Sequence, residues 1–222
     1  MYTSINEAVK SLTTTNINER IKYAIIPNVC NSLRREPFNH EYYFLPEVLN
    51  KNRVVDTKDN IRDNTLGRHI SNMEALPQQF NCVTKAFTKL SFNLVDITML
   101  YNKECNKQGQ HSDYDPNNSI FLTNNLPLIC ICCPMESYIY INTSSPYNAE
   151  ESEKVVLPAN CLLIMRGDTI HNGSDFDAFN VRYHFYLHKE DVDMNSVLYH
   201  AKRDCDTTPP LPTSKKLKET HT

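Results

Sequence analysis

Two histidines and one aspartate set the strongest constraint on this chain: His111-Ser112-Asp113, and then His171 sixty positions later. If they act together, the fold must bring segments sixty residues apart to one point. Residues two apart on an extended strand share a face, so His111 and Asp113 can offer two donors to one ion from a single strand end. Gly109 and the turn signal Asp115-Pro116 flank the pair, which suits such an end. His171 follows the apolar run Leu162-Leu163-Ile164-Met165 and the turn Arg166-Gly167-Asp168. A barrel of strands could bring both ends together at its mouth. Two imidazoles and a carboxylate are the facial ligand set of non-haem iron(II), which leaves three metal positions open. Arg182, eleven residues past His171, could supply the cation that a dicarboxylate bound there needs.

The texture around these residues is that of strands. Segments 92–101, 119–123, 128–133, 137–142, 154–157, 161–165 and 180–188 read as short strands, with turn signals such as Asp115-Pro116-Asn117-Asn118 and Ser144-Ser145-Pro146 between them. The first ninety residues look helical and irregular. Ser4 and Glu7 have the spacing of a capping box for a helix over 4–12. Pro27, Pro37 and Pro46 punctuate the next stretch, and a helix is expected over 65–76. A better one runs over 77–90, where Phe80, Val83, Phe87 and Leu90 recur at steps of three and four behind Pro77. The expected fold is mainly β with N-terminal helices (α+β), its core a β-sandwich or jelly-roll barrel with helices on one face. Three regions are expected: 1–90 packing on the core, the core over 91–203, and a disordered tail over 204–222 that is rich in proline and lysine.

Composition excludes some roles. The 23 Lys+Arg against 26 Asp+Glu give a net charge of −3, which argues against a whole-chain grip on nucleic acid. No apolar run reaches the roughly 18–20 residues of a membrane span. The segment 1–7 lacks the basic and apolar regions of a secretory signal, so a cytoplasmic or nuclear protein is expected. The eight cysteines show no paired C-x-x-C pattern for structural zinc, and Cys132 and Cys133 as strand neighbours point to opposite faces. They read as buried thiols acting as small hydrophobes. With only four glycines, a Gly-rich phosphate loop is not available.

The ordered set is HxD, a strand-like interval, Gly167-Asp168-Thr169-Ile170-His171, and then Asn180-Val181-Arg182-Tyr183-His184 on a strand. From about Ser91 to His188 it resembles the iron(II)/2-oxoglutarate-dependent oxygenases, in the branch with prolyl hydroxylase-like and AlkB-like enzymes. The resemblance implies a double-stranded β-helix, with His111, Asp113 and His171 as iron ligands and Arg182 as the clamp on the far carboxylate of 2-oxoglutarate. It also implies that Tyr101, ten residues before His111, hydrogen-bonds the cosubstrate. The implied cofactors are Fe(II) and 2-oxoglutarate, with ascorbate as a further candidate. The implied reaction is hydroxylation of a substrate C–H coupled to conversion of 2-oxoglutarate to succinate and CO₂. AlkB-type enzymes carry a second arginine beyond the first; here His188-Lys189-Glu190 follows instead. A protein or peptide side chain is therefore favoured as substrate over a modified nucleic-acid base, and no membrane partner is expected.

Other polar residues have plainer readings. His184, in phase with Arg182, could touch cosubstrate but reads as a satisfied core histidine. Asn102 and Tyr140 read as core or rim. Asp168 could orient a ligating histidine, or simply serve a tight turn. His40, His69, His188, His200 and His221 read as surface residues, and Lys215–Lys218 as a solvated tail. A non-enzymatic barrel module that binds a small anion, and a zinc hydrolase with the same ligand set, are the competing functions.

Overall fold

In a computed structural model, residues 2–14, 16–29, 54–55, 65–69, 80–105, 107, 109–143 and 152–189 are described, with backbone alone at 17, 54–55, 65–69, 96, 99, 101–105 and 176–179. The tail over 204–222, and His40, His200 and His221 with it, lie outside these residues. The described chain is mainly strand. Helix α1 (Ile5–Leu12) opens it, with Ser4 as N-cap. The Ser4 hydroxyl accepts from the Glu7 N–H, while the Glu7 carboxylate turns back to the N–H and hydroxyl of Thr3. Ala8, Val9 and Leu12 are buried, at the spacing of one helix face. Helix α2 (Asn81–Thr88) buries Val83 and Phe87 on the apolar stripe visible in the sequence.

Among the described residues ten strands follow chain order: β1 (Tyr23–Ile26), β2 (Val54–Val55), β3 (Thr65–His69), β4 (Asn93–Cys105), β5 (Leu128–Cys132), β6 (Ser137–Asn142), β7 (Ser152–Leu157), β8 (Leu162–Arg166), β9 (His171–Gly173) and β10 (Phe176–His188). They form a larger sheet in the order β1-β8-β5-β10-β4-β3-β2 and a smaller one in the order β7-β6-β9. All the pairings are antiparallel. β5 is buried along its whole length, as is β8 up to Arg166, which explains their unbroken apolar runs. In β6, buried Ile139 and Ile141 alternate with half-buried Tyr138 and Tyr140, so that sheet has one covered face. A single hydrophobic cluster takes in residues of both sheets and of both helices. Ser137 on β6 donates to the Asn180 side chain on β10 at 3.2 Å, a polar tie from one sheet to the other.

Two elements differ from expectation. The expected helix over 65–76 is a strand where it is described: β3 pairs with β4, Gly67 opposite Leu100. A partner strand overrides weak local preference in such a stretch. The expected strand over 119–123 is a 3-10 turn, Ser119–Leu122, started by the Asn118 side chain accepting from the Ile120 N–H and pinned by buried Phe121. The N-terminal ninety residues also place strands β1, β2 and β3 in the larger sheet, where helix and loop were expected.

Candidate metal centre

β10 divides its residues between two environments. Val181, Tyr183, Phe185 and Leu187 are buried in the apolar core, and Phe80, just before α2, sets its ring edge against Tyr183 and Phe185. Alternation sends Arg182, His184, Tyr186 and His188 to the other face. That face meets the His111 segment: the Tyr186 hydroxyl lies 3.3 Å from Asp113 Oδ2, and the His188 Nε2 lies 2.7 Å from the Tyr114 hydroxyl.

His111 and His171 are locked together by the backbone. They form an isolated antiparallel bridge, with N–H···O bonds of 2.9 Å and 2.8 Å in the two directions. Their rings lie 4.6 Å apart between centroids. Each ring commits its Nδ1 to a carbonyl oxygen two residues back, His111 to Gly109 at 3.0 Å and His171 to Thr169 at 2.9 Å. A carbonyl only accepts, so each Nδ1 carries a proton and each Nε2 is the nitrogen left to bind an ion. Asp113 brings its Oδ1 to 3.6 Å from His111 Nε2. The three residues can each offer one donor atom, with all these atoms within 4.8 Å of one another. That is a fit to one metal ion: two imidazole nitrogens and a carboxylate oxygen, with the outer nitrogens already held by the backbone.

The electrostatics agree. The pKa of His171 is lowered to about 4, first by burial and then by the His111 ring, with Asp113 opposing the shift. Arg182 acts on His171 in the same direction as His111, so the guanidinium stands within electrostatic reach of the cluster. Arg182 is only 1 % exposed. Asp168 does not reach His171; it accepts from Arg166 Nε at 2.9 Å. Tyr140 lies on the half-exposed face of β6, where Lys107 sits over its ring. The backbone register pairs Val181 with Tyr101 and Arg182 with Leu100; the Tyr101 and Asn102 side chains are outside the description.

His188 was expected at the surface and is instead 1 % exposed, in phase with Arg182 along β10. Its burial lowers it to about 4, which keeps it neutral beside the Tyr114 hydroxyl. His184 is buried, as expected for a core histidine. Sequence reasoning passed over Tyr114 and Tyr186. The signal for Tyr186 was available: with Arg182 facing the site, every second residue to His188 shares its side. Cys130, Cys132, Cys133 and Cys161 are buried, as the reading of the cysteines as small hydrophobes expects.

No family model and no curated protein matches the sequence. Solved structures do match the fold. HygX from Streptomyces hygroscopicus, with nickel, 2-oxoglutarate and hygromycin B bound, aligns at a TM-score of 0.51 and 14 % identity, over 75 % of this chain and 82 % of that one. AviO1 from Streptomyces viridochromogenes Tue57 aligns at 0.54 and 8 % identity, over 87 % and 98 %. The chain therefore shares its fold with proteins that include one holding both a divalent metal and 2-oxoglutarate.

Proposed function

We propose that this protein is an iron(II)- and 2-oxoglutarate-dependent dioxygenase that hydroxylates a protein or peptide side chain, on a double-stranded β-helix core over 91–203. The observation that carries this reading is the meeting of His111, Asp113 and His171 donors within 4.8 Å, beside the buried Arg182. His111, Asp113 and His171 would hold the iron, which supplies the activation of O₂. One oxygen atom goes to the succinate formed as 2-oxoglutarate loses CO₂, and the other enters a substrate C–H bond as hydroxyl. Arg182 would take the far carboxylate of 2-oxoglutarate through two parallel N–H···O bonds, a geometry suited to its planar fork. A guanidinium this deeply buried is stabilised by an anion held against it. Tyr101 is the second contact expected from its place ahead of His111.

The slight negative charge and the absence of tryptophan argue against a groove for single-stranded nucleic acid. A small-molecule substrate is the second reading, favoured by the fold likeness to HygX, solved with hygromycin B bound. The test is incubation of the purified protein with iron(II), ascorbate, 2-oxoglutarate and panels of peptides and small molecules. Succinate should form with the wild type and be lost in His111→Ala, and the product that gains one oxygen atom identifies the substrate class. A wild type that neither retains iron anaerobically nor forms succinate overturns the proposal.

A further inference from the structure

The two oxygens of Asp113 are not equivalent. Oδ1 is the one placed near the histidine donors, 3.6 Å from His111 Nε2. Oδ2 accepts the Tyr186 hydroxyl at 3.3 Å. Tyr186 stands on β10 two positions from both His184 and His188, on the polar row that Arg182 begins. The phenol is itself backed. Tyr114, the residue after Asp113, is fully buried, its ring centroid is 6.4 Å from that of Tyr186, and its hydroxyl is tied to His188. Gly167 makes room for Tyr114: a Cβ there would come within 2.5 Å of the Tyr114 ring. The Tyr186 phenol thus holds the carboxylate itself, while the buried Tyr114 ring packs the next residue into the fold.

A carboxylate can ligate through one oxygen or through both. If Asp113 used both, it would take one of the three positions that a facial triad leaves open. We propose that Tyr186 is a positioning residue for the metal centre: its hydrogen bond to Oδ2 holds Asp113 to one-oxygen ligation and so keeps a position free for the cosubstrate. This rests on the metal-site reading above. Chelation by both oxygens would require Oδ2 to leave the phenol and turn toward the ion, and the hydrogen bond opposes that turn.

The test uses cobalt(II) as probe on the metal-free full chain, comparing wild type, Tyr186→Phe and Tyr114→Phe. Tyr186 is half-buried, and the exchange for phenylalanine removes one oxygen and no packing volume. Cobalt(II) is titrated in with its visible d–d absorption as readout, then 2-oxoglutarate is titrated into the cobalt-loaded protein. Tyr186→Phe should alter the d–d spectrum and weaken 2-oxoglutarate binding by about tenfold, the lower end of what loss of an outer-shell partner costs. Tyr114→Phe should leave both unchanged and lower the melting temperature alone. A wild-type spectrum and wild-type 2-oxoglutarate affinity in Tyr186→Phe would overturn the positioning role while leaving the proposed function intact. A wild type that takes up no cobalt(II) would overturn both.

Discussion

Arg182 carries the sharpest residue-level demand. Its charge alone would attract a dicarboxylate, and a lysine would keep that charge. What a lysine loses is the second of two parallel donors in a fixed plane. One charge-assisted hydrogen bond contributes roughly 1.5–3 kcal/mol, which corresponds to about ten- to a hundredfold in affinity. Arg182→Lys should therefore raise the KM for 2-oxoglutarate by about that factor, with a much smaller fall in kcat; steady-state succinate formation measures both. An unchanged KM would remove Arg182 from the cosubstrate site. At this scale the residues of the proposed site were legible because their chemistry is in their identity and order: two imidazoles and one carboxylate for a metal, one guanidinium for an anion. The outer contacts were not. The Nδ1 bonds to Gly109 and Thr169 use backbone carbonyls, which carry no residue signature. The Tyr186 contact spans seventy-three residues and exists only once the strands are laid side by side.

Among the elements, β10 does the most to join fold and site. One face closes the apolar core against Phe80, and the other offers polar groups to the HxD segment. Strands such as 137–142 were readable end to end, because apolar residues alternate with tyrosines there. The run 65–69 was not, because its pairing with β4 is a long-range fact that outweighs local preference. Nor could 119–123 be read as a 3-10 turn, since its apolar residues look alike in either conformation. The turn before β9 makes a testable claim. Gly167 has no unusual backbone angle; it is needed for space, with the Tyr114 ring pressed against it. Gly167→Ala should push that ring and disturb the Tyr114–His188 hydrogen bond. Overpacking of this kind costs about 1–3 kcal/mol, readable by chemical denaturation. Tyr114→Phe keeps the ring and should not relieve the clash, whereas Tyr114→Leu in the Gly167→Ala background should recover part of the loss. If Gly167→Ala unfolds at the wild-type midpoint, the contact is not as tight as described.

For the molecule as a whole, the polar site lies within a β structure that shields it, and this makes the fold sensitive to acid. His188 and His171 both have their pKa lowered to about 4 by burial, against an ordinary value near 6.5. In the unfolded chain they take up protons as pH falls through about 6.5; in the folded protein they resist until about 4. Between those values the unfolded state binds more protons, so stability rises with pH there. The contribution is fully present above pH 6.5 and is lost as pH falls toward 4. Each histidine adds a slope of at most about 1.4 kcal/mol per pH unit. His188 isolates the effect, since it stands apart from the donor cluster and its bond is to the neutral Tyr114 hydroxyl. His188→Gln keeps a polar partner for Tyr114 and removes the titration. Denaturant unfolding of the metal-free protein at pH 7, 5.5 and 4.5 should show a steep loss for the wild type and a flatter one for His188→Gln. Carboxylates titrate in both proteins and cancel in the comparison. Parallel profiles would mean that His188 takes up its proton in the folded protein as readily as in the unfolded chain, and that the shelter of this interior is less than its burial implies.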